Sequence, residues 1–116
     1  MSRPFKCRRI CFTPGVTYFK PAGIPLKFLK EICLSLEEAE AIRLRDLEHL
    51  EQVECAHRMD ISRPTFQRVL ASARAKVADS LLNGKALKIE GGNYELHSSE
   101  LASAHEESES TKITIK

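Results

Sequence analysis

Tryptophan is absent from this sequence, and five Phe and two Tyr are its whole complement of aromatics over 116 residues. A surface that stacks unpaired bases on interleaved aromatic rings is therefore not expected, which places RNA behind duplex DNA as a partner. No run of some eighteen apolar residues occurs, so no membrane partner is expected. The basic start, Met1-Ser2-Arg3-Pro4-Phe5-Lys6-Cys7, is followed by no apolar stretch and does not read as a secretory signal. The expected location is cytoplasmic, where Cys7, Cys11, Cys33 and Cys55 stand as thiols rather than disulfides. A phosphate-binding glycine loop is also missing, because Gly91-Gly92 lacks the rest of any such motif.

These gaps bear on chemistry. None of His49, His57, His97 or His105 has a nucleophile or carboxylate arrangement that points to catalysis. Glu37, Glu38 and Glu40 read as charges at a helix N-terminus rather than as an acid–base pair. Neither an enzyme nor a cofactor is expected. Cys7 and Cys11 form one C-x₃-C, whereas tight zinc sites use paired short spacings. Those two cysteines are the candidates for a metal- or redox-responsive site, set against the simpler reading of ordinary thiols. Cys55 and Cys33 are expected to pack as small core residues.

What the chain does have is charge in blocks. The net charge is +2, yet residues 1–30 carry +7, residues 31–60 carry −6, residues 61–88 carry +5 and residues 89–116 carry −4. Two basic blocks around an acidic one suit a protein that turns one positive face to a polyanion. A hydrophobic fraction of 42% over this length fits one domain with a modest core.

Pro4, Pro14, Pro21 and Pro25, with Gly15 and Gly23, exclude an ordinary helix before residue 34. Short β-prone runs at 8–12 and 16–19 leave a basic, extended arm with one or two strands. Ser35-Leu36-Glu37-Glu38 matches a capping box, and Leu36, Ala39, Ile42 and Leu47 fall on one face of a helix ending near residues 46–49. A second helix is predicted over 51–59, with Val53, Ala56 and Met59 inward. Ser62 then caps a third helix, with Pro64 in its first turn. Phe66, Leu70, Ala73, Val77 and Leu81 give that helix its buried stripe, and Asn83-Gly84 stops it. Alternation at 86–89 and 94–96 around Gly91-Gly92 predicts a hairpin. The fold expected is mainly α: a basic Pro/Gly-rich arm (1–34), a three-helix helix-turn-helix domain (35–84, recognition helix about 62–82), a small β-hairpin (85–97) and an acidic, disordered tail (98–116).

Residues 52–70 carry the functional reading. A helix-turn-helix needs a small residue where its helices cross (Ala56) and a residue tolerant of positive φ at the turn (Asp60, where glycine is usual). It also needs an apolar plug (Ile61), a cap (Ser62), and apolar groups that return the second helix onto the first (Phe66, Val69). Arg63, Pro64, Thr65, Gln67, Arg68 and Ala71 then face outward at the helix front, the part that enters a major groove in this motif. Arg suits guanine and Gln suits adenine, so Arg63, Gln67 and Arg68 are the expected base readers. The Ser62 and Thr65 hydroxyls are expected on phosphate or base, and Arg74 and Lys76 on phosphate. Arg8 and Arg9 in the arm are candidates for phosphate or minor-groove contacts.

With those residues in hand, residues 52–76 resemble the DNA-reading C-terminal region of bacterial sigma factors. More narrowly, the chain resembles an uncharacterised prokaryotic family of short predicted DNA-binding proteins. The resemblance rests on Arg3-Pro4, Cys7-Arg8-Arg9-Ile10, Tyr18-Phe19-Lys20-Pro21-Ala22-Gly23-Ile24-Pro25, Glu40-Ala41-Ile42-Arg43-Leu44 and Gly84-Lys85-Ala86-Leu87-Lys88-Ile89-Glu90-Gly91-Gly92, all within residues 1–92. It implies DNA binding in transcription. The expected function is a sequence-specific regulator binding double-stranded DNA as a homodimer over two half-sites. The alternatives are a sigma-like interaction module docking on RNA polymerase or another regulator, and a metal- or redox-responsive regulator using Cys7 and Cys11.

Overall fold

The computed structural model describes residues 8–96; the Cys7 thiol and the tail after residue 96 lie outside them. Five short strands, β1 (Arg8–Ile10), β2 (Tyr18–Phe19), β3 (Glu31–Leu34), β4 (Ala86–Ile89) and β5 (Tyr94–Leu96), accompany three helices, α1 (Leu36–Ile42), α2 (Gln52–Met59) and α3 (Arg63–Asn83). A 3₁₀ turn at Leu26–Phe28 precedes β3, and a π-helical turn at Arg43–Leu47 extends α1. The fold is therefore mixed α/β, and the expectation of a mainly α domain is corrected.

The hairpin is corrected with it. β4 and β5 do not pair with each other. β4 is the middle strand of one sheet, antiparallel to β2 and parallel to β3, with Phe19 and Ile32 both opposite Leu87. β5 runs parallel to β1 in a second sheet, with Ile10 opposite Leu96. Each end of the chain supplies the other's partners, which satisfies backbone groups that neither end could satisfy alone.

Gly91-Gly92, read from sequence as a hairpin turn, carries the chain from one sheet to the other across the start of α1. The Gly91 carbonyl accepts from the Leu36 N–H at 2.9 Å, and the Asn93 N–H donates to Glu37 Oε1 at 2.6 Å. Gly92 sits at φ +109°, and a Cβ there would lie 2.8 Å from Ser35 Cβ and 2.6 Å from Glu37 Oε1. Gly92→Ala is expected to destabilise the fold by about 2–3 kcal/mol through backbone strain and this contact. Urea unfolding measures it, and a loss under about 0.5 kcal/mol would count against the crossing as described.

The helix caps follow the local sequence. Ser35 Oγ accepts from the Glu38 N–H at 3.2 Å while Glu38 Oε1 accepts from the Ser35 N–H at 2.9 Å, a complete capping box. Ser62 caps α3, Pro64 lies in its first turn, and Gly84 closes it at φ +64°. Ala41, Leu44, Cys55, Ala56, Met59, Phe66 and Leu70 form the main core, with Ile42, Leu50, Ile61 and Val69 packed against it.

The buried faces differ from the expected ones at several points. Leu47 is 71% exposed, Val53 64% and Leu81 75%, whereas Glu38 and Glu40 are buried. Buried carboxylates persist only when paired, and both are. Glu40 accepts two bonds from Arg43, at 3.1 and 3.0 Å, and one from the Cys11 N–H at 3.1 Å. Glu37 meets Arg8 at 3.5 Å and Glu38 bonds Ser72 and Lys76. The acidic first turn of α1 is thus a brace that ties β1, the β4–β5 crossing and α3 to one helix.

Candidate nucleic-acid interface

The candidate surface is built where α2 hands over to α3. Asp60 ends α2 in the left-handed region (φ +60°, ψ +46°), and the Ile61 N–H returns to the Ala56 carbonyl at 3.1 Å. A short aspartate tolerates that conformation better than most residues with a Cβ. Ala56 is buried against the core, Ile61 and Val69 pack on it, and Phe66 is fully buried. The three-residue turn therefore leaves α3 anchored through its second turn while its first turn faces solvent.

Ser62, Arg63, Pro64, Gln67, Arg68 and Ala71 are all exposed, with Thr65 half-buried among them. Ser62 Oγ accepts from the Thr65 N–H at 3.2 Å and donates to Thr65 Oγ1 at 2.9 Å. Both hydroxyls are thus engaged in the cap. Arg68 Nη2 reaches Thr65 Oγ1 at 3.3 Å. The Arg63 side chain has no hydrogen bond or ion pair among the described residues. The first turn of α3 carries no acidic residue. Two guanidiniums and an amide consequently share one exposed end of a capped helix whose own first turn carries no carboxylate.

The remaining basic residues expected on phosphate are otherwise engaged. Arg74 holds Asp46 through two guanidinium nitrogens, one of them at 3.1 Å. The hydrogen bond from Arg74 is the main cause that keeps the Asp46 carboxyl below its ordinary value. Lys76 Nζ lies 2.9 Å from Glu38 Oε1 and 3.1 Å from the Cys33 carbonyl, so its charge is spent inside the brace. Arg8 and Arg9 are half-buried in β1, Arg8 against Glu37, and the Nε of each is buried without a hydrogen-bond partner among the described residues.

Residues 1–97 match the family model described as "Protein of unknown function DUF134". The chain belongs to this family. It is similar to the "UPF0251 protein" of Desulforudis audaxviator, 63% identical over 95 residues, which cover 82% of this chain and 62% of that protein. It is likewise similar to the "UPF0251 protein" of Moorella thermoacetica, 64% identical over 96 residues, 83% of this chain and 64% of the relative. A "UPF0251 protein" of Dehalococcoides mccartyi (strain 195) is 68% identical over 96 residues, 83% of this chain and 82% of its own length. The chain thus spans less than two thirds of the first two relatives. No solved structure matches it.

The three described cysteines of this DUF134 member are free thiols. Cys11 is half-buried, Cys55 is buried in the core as expected, and Cys33 is exposed, contrary to expectation. Burial pushes the Cys55 thiol up, which keeps it protonated and unreactive. Among the described residues, no group of three or more His, Cys, Asp or Glu is arranged to hold a metal ion. No helix among them is long and apolar enough to cross a membrane.

One residue of the surface escaped the sequence reading. Gln52, the first residue of α2, accepts at Oε1 from Gln67 Nε2 at 2.9 Å. Its only signal in the sequence is its place at the start of the helix preceding the turn.

Proposed function

We propose that the chain is a sequence-specific DNA-binding protein, a transcriptional regulator that uses α2, the turn and α3 as a sigma-like helix-turn-helix, with the first two turns of α3 in the major groove. The observation that carries this reading is the row of Arg63, Gln67 and Arg68, exposed on a helix end that is capped and anchored and has no acidic residue in its first turn. Arg pairs bidentately with guanine O6 and N7, and Gln with adenine N6 and N7. The exposed guanidiniums also supply the attraction to phosphate that draws the protein to any duplex. Lys76 is left out of the contact set because Glu38 already holds it, and Arg74 joins only by releasing Asp46.

One helix end reads few base pairs, so the proposal includes a homodimer on two half-sites one or two helical turns apart. Selection of bound sequences from random duplex DNA tests both parts. The expected result is a preferred sequence repeated with inverted symmetry. Recovery of unbiased sequences overturns the reading.

A second reading, an interaction module that docks on RNA polymerase or another regulator, draws on a separate observation. Phe19, Ile24, Leu26 and Phe28 are exposed within one basic, acid-free segment, a concentration of apolar surface of the kind found at protein contacts. Sequence-blind DNA binding together with co-purification of polymerase favours that reading over the first.

A further inference from the structure

The Gln52–Gln67 bond adds a residue from outside α3 to the proposed base-reading surface, and its consequence follows from counting donors and acceptors. A glutamine amide has two N–H donors and one carbonyl with two lone pairs. Gln67 uses one N–H on Gln52 Oε1 at 2.9 Å. One N–H and the whole carbonyl of Gln67 remain, which is the donor–acceptor pair that adenine N7 and N6 require. Both N–H groups of Gln52 are likewise without a partner among the described residues.

An exposed glutamine has three flexible torsions, and fixing them on a base opposes binding. Gln67 is exposed on α3, whereas Gln52 is half-buried at the start of α2, a helix whose Cys55, Ala56 and Met59 are locked in the core. The bond therefore ties a free reading side chain to a rigid neighbour before any DNA arrives.

Resting on the DNA-binding reading above, we propose that Gln52 is a positioning residue: its carbonyl fixes the Gln67 amide for an adenine edge, while its own N–H pair donates to a phosphate oxygen of the same half-site. The two roles separate by chemistry. Gln52→Ala removes both. Gln52→Glu keeps an oxygen that accepts from Gln67 but replaces the phosphate-facing donors with a negative charge.

The test is selection from random duplex DNA with four full-length proteins, wild type, Gln67→Ala, Gln52→Ala and Gln52→Glu, each checked for unchanged thermal unfolding. The wild type is expected to prefer adenine at one position of each half-site, and Gln67→Ala to lose that preference. Gln52→Ala is expected to weaken it about fivefold or more at that position alone, in the range of one good bidentate contact. Gln52→Glu is expected to retain the preference while binding every sequence more weakly. A Gln52→Ala profile identical to wild type overturns the positioning role and leaves the DNA reading intact. A wild type without any sequence preference overturns both. An unchanged overall affinity for Gln52→Glu overturns the phosphate contact.

Discussion

Replacing Glu38 with alanine is expected to destabilise the protein by about 3 kcal/mol, the largest loss from any single side chain of the α1 brace. Glu38 is only 8% exposed, and its carboxylate bonds three groups from two parts of the chain. Oε1 accepts from the Ser35 N–H and from Lys76 Nζ, both at 2.9 Å, and Oε2 accepts from Ser72 Oγ at 2.6 Å. Alanine leaves the helix cap half made, a hydroxyl unpaired and a half-buried ammonium with only the Cys33 carbonyl. Removing one member of a buried pair exposes the desolvation penalty of the other. Glu38→Gln keeps one acceptor and the side-chain volume, so about half the loss is expected. Urea unfolding measures both, and an alanine variant within about 1 kcal/mol of wild type would mean the brace contributes little.

The same residue fixes a sign for the pH response. Burial works to raise the Glu38 carboxyl, and the hydrogen bonds from Ser72, Lys76 and Ser35 overcome it, holding it below the ordinary carboxylate value. A group lowered on folding contributes stability above its unfolded value and loses it as pH falls through the folded one. Its neighbour Glu37 has the opposite sign. Burial dominates there, despite the Asn93 N–H and Arg8, and raises that carboxyl. Glu37 therefore favours the folded state below its unfolded value and loses that contribution as pH rises through its raised one. Glu38→Gln should accordingly flatten the decline of stability in acid.

Beyond the capping box, neither role was legible in the sequence, and the reason is distance along the chain. The caps at Ser35 and Ser62, Pro64 in the first turn of α3, the stop at Gly84 and the tight turn at Asp60 all depend on residues within four positions, and the sequence reading located them. The runs at 8–12, 16–19, 86–89 and 94–96 marked four of the five strands, but β3 and the pairings were not legible, because the partners stand far apart in the chain. Gly91-Gly92 looked like a hairpin because a local rule cannot distinguish a tight turn from a crossing that needs the same positive φ. A carboxylate counts as polar in any periodicity, so the burial of Glu38 and Glu40 gave no signal there, while Leu47 and Val53 were turned inward. The Arg43 partner of Glu40, three residues on, was the one visible clue. Arg74 and Lys76 were assigned to phosphate because Asp46 and Glu38 are remote in sequence. Positions in the first turns of α3 needed only helical periodicity, and their exposure was legible.

Substituting Arg63 and Arg68 together is expected to abolish specific DNA binding without unfolding the protein. Both are exposed, and the bond from Arg68 to Thr65 is a weak one at 3.3 Å, so stability should change by no more than about 0.5 kcal/mol. Each bidentate Arg–guanine contact discriminates by roughly 1–3 kcal/mol, so the pair should lower affinity for the selected duplex by about 10²–10⁴-fold. Alanine alone does not separate lost charge from lost base reading, and Arg63→Lys with Arg68→Lys does. Lysine keeps the charge that phosphate feels but not the planar fork that matches guanine. The lysine variant should therefore bind arbitrary duplex about as wild type does, with a similar salt slope, while its preference for the selected sequence collapses. Arg74→Ala is the internal control: its guanidinium is held by Asp46, and a small effect on both kinds of binding is expected. A lysine variant that retains the wild-type sequence preference would show that these two side chains attract DNA without reading it, and would move the reading surface elsewhere on the molecule.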